Sequence, residues 1–409
     1  MKITDIEGIL MSYVLPEPVT LKFWGGERTI LKRDAMLIRL STDSGLRGYA
    51  PGPAHMSAVD TIRNVIKPHL IGKNPLYFEQ IQFSGTLQEE KIYGAVEIAL
   101  MDLASRYEEC PLSSRIGEPK RNNIQLYGSA GMYMSPSGFG EEAAAIADMG
   151  FPAYKMRTAL GPEKDLETLE SMRKSTSRDF GLMVDAHTWW RMGDKSYSEA
   201  TILDLARSMS TWNPYWLEEP LPPENHDAYR SLRSSRVVPV ATGEHEQEES
   251  GFMDLIETQA TDYVQMDVCC QGGVSMANRI FDAVEKAGLK FAFHSWGTNL
   301  EVLAAAHLGI CRPESVVEWL EYPCYANQGR PGMYPFPLAD EILKAPLDIR
   351  NGRLEVPKEP GLGIEIDESV IDRYPFQPGP WSFFKLDSPP ETIAVTGDHS
   401  IKWVDPDSG

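Results

Sequence analysis

From residue 124 onward the chain alternates short apolar runs with longer amphipathic stretches, and no other feature limits its fold as strongly. The apolar runs are Ile124 to Tyr127, Ala153 to Met156, Leu182 to Asp185, Tyr215 to Glu218, Val237 to Thr242, Tyr263 to Asp267, Phe291 to His294 and Val316 to Leu320. Each has the length of a strand. Between them, Gly140 to Met149, Pro162 to Lys174, Ser198 to Met209, Val274 to Ala287 and Asn299 to Gly309 carry apolar residues at helical spacing. Strands that alternate with helices build a parallel sheet covered by helices. Eight such units predict an α/β chain centred on a (β/α)8 TIM-type barrel. An open doubly wound sheet fits less well, since no GxGxxG follows the first strand.

The flanks read differently. Strand-like runs at Ile3 to Tyr13 and Asp34 to Thr42, joined by a Gly/Pro-containing loop at Pro16 to Arg28, precede helical spacing at Met56 to Leu70 and Ala95 to Tyr107. This predicts an α+β capping domain over residues 1–120, with the barrel over 121–350. The tail, 351–409, holds Gly361-Leu362-Gly363 and prolines at Pro375, Pro378 and Pro380 without a sustained period. It is expected to return to the cap as mostly irregular chain.

Composition narrows the function. The 409 residues include 39 Lys+Arg against 59 Asp+Glu, a formal charge of −20, which argues against nucleic acid because counterion release needs a basic face. With 42% hydrophobic residues the chain can bury a sizeable core, so wholesale disorder is excluded. The five cysteines, Cys110, Cys269, Cys270, Cys311 and Cys324, show no CxxC or Cys/His metal spacing and read as small buried hydrophobes in a reducing compartment. No uncharged apolar stretch approaches the roughly 20 residues of a membrane span. Acidic residues interrupt the apolar character of the N-terminus, so no signal peptide is visible. The expectation is a soluble, cytoplasmic protein.

Active sites of such barrels lie where the strands end, and these strand ends are chemically loaded. Leu182-Met183-Val184 runs into Asp185, Tyr215-Trp216-Leu217 into Glu218-Glu219-Pro220, and Val238 through Gly243 into Glu244-His245. Asp185 and Glu218 are 33 residues apart and Glu218 and Glu244 are 26 apart, each one βα unit, so the three carboxylates come side by side. Their repulsion calls for a hard divalent cation, and oxygen donors with retained waters suit Mg²⁺. Val264-Gln265-Met266-Asp267 and Phe291-Ala292-Phe293-His294 end neighbouring strands, where an Asp can hold the imidazole tautomer and raise its basicity. In Tyr154-Lys155-Met156-Arg157 the two cations share a face, by the two-residue period of a strand.

Together, Lys155-x-Arg157, Val184-Asp185-Ala186-His187, Trp216-Leu217-Glu218-Glu219-Pro220, Thr242-Gly243-Glu244-His245, Gln265-x-Asp267 with Gly272-Gly273 beyond it, His294, and Glu318-Trp319-Leu320-Glu321 resemble the enolase superfamily. The likeness is to the acid-sugar dehydratase branch of its mandelate racemase-like subgroup. It spans nearly the whole chain, ending in the closing segment Pro360-Gly361-Leu362-Gly363-Ile364-Glu365. It implies that Asp185, Glu218 and Glu244 ligate Mg²⁺, that His294 paired with Asp267 is an acid/base catalyst, and that Lys155 sits by the substrate carboxylate. The family's usual second Lys is Arg157 here, a poor unaided base but a capable bidentate clamp. His187, two residues past the first ligand, is similar to the mannonate dehydratase type, where such a His helps proton transfer. Pro222-Pro223-Glu224 and Gly243-Glu244-His245-Glu246 look more like rhamnonate dehydratase.

The reaction implied is loss of the proton α to a carboxylate, giving an enediolate, then loss of a β-hydroxyl to leave a 2-keto-3-deoxy acid sugar. Epimerisation, racemisation or cycloisomerisation of a sugar acid through the same enediolate is the alternative. Glu318 or Glu321 is expected to hydrogen-bond the intermediate. Three residues apart on a strand, they have opposite parity, so one of them faces the mouth. Glu318 is favoured by resemblance to the sugar-acid dehydratases, Glu321 by the mandelate racemase pattern. Phe23-Trp24-Gly25-Gly26-Glu27-Arg28 reads as a Gly-containing loop able to close over a ligand. Trp24, His245 and Trp296 are expected at the substrate, while Trp189-Trp190 fit pocket lining or cap packing equally. The partner is a small carboxylate, and the family resemblance implies an even-numbered homo-oligomer.

Overall fold

A computed structural model describes residues 1–129, 133–324 and 336–396. The N-terminal strands β1 (Ile3–Phe23), β2 (Gly26–Thr42) and β3 (Arg47–Gly52) form an antiparallel sheet. The expected loop from Pro16 to Arg28 is instead the upper half of a long hairpin. Pairing continues to Phe23↔Gly26, leaving a two-residue turn at Trp24-Gly25, and a register shift between Val14 and Val19 absorbs Pro16 and Pro18. Helix Leu87–Tyr107, opened by a capping box of Thr86 and Glu89, packs on this sheet, with Ala99 and Leu103 lying against Gly48 of β3.

Eight parallel strands follow: β4 (Asn123–Ser129), β5 (Ala153–Arg157), β6 (Gly181–Asp185), β7 (Trp216–Glu218), β8 (Val240–Thr242), β9 (Tyr263–Met266), β10 (Lys290–Phe293) and β11 (Val317–Pro323). Each pairs with the next, and β11 pairs with β4 to close the barrel. All eight predicted runs are strands. The predicted helices stand between them, and His226–Ser234 and Glu249–Glu257 occupy the β7–β8 and β8–β9 connections.

One side chain from each strand fills the barrel interior: Tyr127, Ala153, Met183, Trp216, Ala241, Tyr263, Ala292 and Trp319. The four aromatic rings take the space left by three alanines, with Trp216 set edge-on to Tyr127 at 5.4 Å and 5.0 Å from Tyr263. Two residues further along a strand the side chain points the same way, one layer higher. That next layer contains Lys155, Asp185, Glu218, Gln265, His294 and Glu321. A buried aromatic floor therefore lies under the polar mouth.

The tail is more regular than expected. β12 (Ile349–Arg350) and β13 (Arg353–Glu355) turn at Asn351-Gly352, both with positive φ as a tight hairpin requires, and β13 pairs with the start of barrel strand β4. β14 (Ser382–Asp387) and β15 (Pro390–Val395) form a second hairpin whose first strand pairs with β2, so this part of the tail completes the cap sheet. All five cysteines are free thiols. Among the described residues no helix is long and apolar enough to cross a membrane.

Candidate active site

Lys155 is the buried centre of the mouth. Its Nζ lies 2.5 Å from Glu218 Oε1, 3.0 Å from Glu321 Oε1 and 3.9 Å from Asp185 Oδ2. Burial would strip its proton, but Glu218 and Glu321 hold the ammonium well above its usual value. Arg157, two residues on, places Nη2 2.9 Å from Asp185 Oδ2 and contacts His187 Nε2 through Nη1. Its guanidinium also lies 5.6 Å from the Trp296 ring. Burial would raise Asp185, yet Arg157 and His187 keep it well below the carboxylate range. Glu218 goes the other way: burial lifts it to about 8 despite Lys155, with Asp185, Glu244 and Glu321 adding repulsion. The Trp216 indole of the floor donates to Glu218 Oε2 at 2.9 Å.

Two imidazoles face each other across this layer. His294, just past β10, has Nδ1 3.4 Å from Asp267 Oδ2 and Nε2 3.1 Å from Glu244 Oε2. Burial disfavours its charge, but Glu244, Glu321 and Asp267 push it up to about 10. His187, just past β6, has Nδ1 3.0 Å from Asp185 Oδ1 and 3.4 Å from Glu244 Oε1. Burial and the Arg157 charge lower it. Strands β6 and β10 are four apart in an eight-stranded ring, so the two rings reach Glu244 from opposite walls. His245 is held with Nδ1 2.5 Å from Glu219 Oε2 and Nε2 3.0 Å from Arg191 Nη2. A cavity of about 260 Å³ lies over these groups, lined on the barrel side by His187, Glu244 and His294 and on the cap side by Arg28 and Trp381. A larger cleft of about 1090 Å³, beside helices Leu87–Tyr107 and Gly273–Ala287, holds none of the strand-end acids.

The capacity for a divalent cation rests on the carboxylate oxygens. Asp185 Oδ2 and Glu244 Oε2 are buried, with the ion-pair contacts to Arg157 and His294 as their nearest partners, and with Glu218 they make the all-oxygen set that a hard cation takes. Glu219, Glu244 and His245 also bring ligand atoms within 4.8 Å of one another. In that trio Glu219 already accepts from Thr242 Oγ1, Gly243 N and His245, and an imidazole donor suits softer metals. The Asp185, Glu218 and Glu244 set is the better fit for a hard ion.

Two expected site residues lie elsewhere. Glu318 is at the far end of the barrel, accepting from Tyr215 Oη and Tyr263 Oη at 2.7 Å each and from Lys290 Nζ at 2.8 Å. Glu321 shares parity with the inward Trp319 and is the residue at the mouth, where it also accepts from Ser295 N at 3.2 Å. Trp24 sits exposed at the hairpin turn, stacked under Lys195 at 5.1 Å, and does not line the cavity. The tight turn at Trp24-Gly25 leaves no loop to close. Trp189 and Trp190 are fully buried packing residues. Sequence reasoning singled out neither Arg28 nor Arg191, whose places depend on the cap meeting the barrel. In the sequence Gln265 stands out only as part of the Gln265-x-Asp267 motif. It stands in the inward layer with both amide atoms lacking a hydrogen bond, a place its parity with Tyr263 indicates.

A closed (β/α)8 barrel with acids and facing imidazoles at its mouth, under a cap built from both chain ends, defines a class of enolase-type enzymes. A family profile described as "Enolase C-terminal domain-like" matches residues 138–370, more than half of the chain. The chain belongs to that family, within the mandelate racemase-like part of the enolase superfamily. It is 26% identical over 394 residues to D-galactarolactone cycloisomerase of Agrobacterium fabrum, covering 91% of this chain and 99% of the relative. It is also 26% identical over 370 residues to D-xylonate dehydratase of Haloferax volcanii, covering 83% and 85%. Among solved structures, an enolase superfamily member from Polaromonas sp. JS666 superposes with a TM-score of 0.78 at 26% identity, covering 93% of this chain and 99% of that one.

Proposed function

We propose that the protein is a Mg²⁺-dependent acid-sugar dehydratase. The observation that carries this reading is the facing pair, His294 and His187, which puts an acid/base group on each side of the space beside Glu244. Asp185, Glu218 and Glu244 hold the ion, which when bound supplies positive charge opposite the anion that develops on the substrate carboxylate. Lys155, pinned by Glu218 and Glu321, binds that carboxylate, and Arg157 clamps it with its planar fork. With Glu244 engaged by the ion, the charge that chiefly holds His294 protonated would be offset, and His294 Nε2 then takes the α-proton while Asp267 steadies Nδ1. The C–H electron pair becomes the C=C bond of the enediolate. Collapse of the enediolate then breaks the Cβ–O bond, the hydroxyl leaves as water with a proton from His294, and the enol tautomerises to the keto acid. His187 manages the proton on the opposite face, and His245 and Trp296 meet the substrate body.

The dehydratases and cycloisomerase among the relatives support this class. The test is to incubate the Mg²⁺-supplemented protein with a panel of acid sugars in D2O. A semicarbazide-reactive α-keto acid is the expected product. Deuterium at the α-carbon without keto acid would replace dehydration by epimerisation or cycloisomerisation, for which the same facing pair would carry the proton between faces. The reading includes an even-numbered homo-oligomer, checked by sedimentation equilibrium.

A further inference from the structure

One cap charge has no role in the scheme above. Arg28, on β2, is 5% exposed and lines the cavity, yet it makes no ion pair with a carboxylate among the described residues. Its guanidinium lies 4.7 Å from the Trp381 ring and 4.8 Å from Phe384, and its Nε is buried without a hydrogen bond. Arg33 stands 5.0 Å over the same Trp381 ring. Burial and the charges of Arg157, Arg33 and Arg191 push Arg28 down to about 9. The acids lining the cavity have other partners: Asp34 pairs with Lys32 at 2.9 Å, Glu246 with His226 at 3.0 Å, Asp267 with His294, and Glu244 with His187 and His294, while Glu301 accepts from Thr298 N at the start of its own helix. A buried charge without a counterion is costly, so an anion arriving with the substrate is its natural partner.

We infer that Arg28 is a specificity residue that receives a second carboxylate at the far end of the substrate, making a sugar diacid the preferred substrate over the matching monoacid. Held between two aromatic faces, the guanidinium keeps its fork oriented, which lowers the ordering cost of a bidentate contact. Arg157, from the barrel, and Arg28, from the cap, both line this one cavity. The assignment rests on the proposed reaction only in taking the near carboxylate to lie at Lys155 and Arg157.

The test is equilibrium binding. Isothermal titration of the Mg²⁺-supplemented protein compares racemic 2-hydroxyadipate with racemic 2,6-dihydroxyhexanoate, which differ only in the terminal group and have no β-hydroxyl to lose. The diacid is expected to bind about 10- to 100-fold tighter, the range of one charge-assisted contact. Arg28→Met keeps the stem between the rings and should shrink that ratio to within about threefold, while Arg28→Lys, which keeps the charge without the fork, should retain part of it. A ratio near one in the parent protein, or an undiminished ratio in Arg28→Met, overturns the assignment. A normal ratio in a protein that makes no keto acid from any acid sugar would instead remove the proposed reaction and leave the distal anion site standing.

Discussion

His307 should make the fold sensitive to mild acid. It lies in helix Asn299–Gly309, fully buried, accepting at Nδ1 from the Ser113 backbone N–H at 3.3 Å and donating from Nε2 to the Leu362 carbonyl at 3.1 Å. These partners fix a neutral ring, because a proton on Nδ1 would face another donor. Burial accordingly lowers its pKa from 6.5 to about 4. A depressed folded value means that the unfolded chain takes the proton first as pH falls. The stabilisation is therefore complete above pH 6.5 and is lost down to the folded value. At 1.36 kcal/mol per unit, the loss is about 2 kcal/mol by pH 5 and approaches about 3 kcal/mol below pH 4. Other groups also titrate in this range, so the measurement is a difference of differences. Urea unfolding of the parent protein and His307→Gln, at pH 7.5 and 5.0, should show the variant less stable at pH 7.5 but losing about 2 kcal/mol less on acidification. Equal losses in the two proteins would refute the argument.

The mouth and the barrel floor make further predictions. Lys155→Met removes the countercharge shared by Glu218 and Glu321 and should lower kcat by about 10²- to 10³-fold in the keto acid assay. His294→Asn should cost about 10²- to 10⁴-fold, and unchanged turnover would remove it from the mechanism. Excess chelator, or Asp185→Asn, should abolish turnover, with Mg²⁺ restoring only the chelated parent protein; full activity in either case contradicts the metal assignment. Glu318→Gln weakens its link to Lys290 and its phenol contacts at the closed end of the barrel, and should cost about 2 kcal/mol of stability by urea unfolding while leaving kcat/KM within about twofold.

Much of the site was legible because strands obey a strict period. Asp185, Glu218 and His294 end apolar runs and Lys155 lies within one, so their placement follows from counting along each run. The choice between Glu318 and Glu321 needed one further fact, that Trp319 points inward, since parity separates the two without saying which is inside. The cap was read less well. Pro16, Pro18 and Gly25-Gly26 look like loop punctuation, but the bulge and turn of a hairpin use the same residues, and pairing with β14 decides between them.

The sequence by itself determined the eight βα units, the acidic strand ends and the family, because these depend on local periodicity and on residue types at fixed spacing. The tertiary structure alone decided what the cap contributes. Arg28, Trp381 and Phe384 come together only because β14, more than 350 residues after β2 begins, pairs with it, and no local pattern encodes a contact made at that separation. It likewise decided where the −20 charge matters. At the mouth, burial beside Lys155, Arg157 and two imidazoles gives the acids chemical roles that neither net charge nor composition could assign.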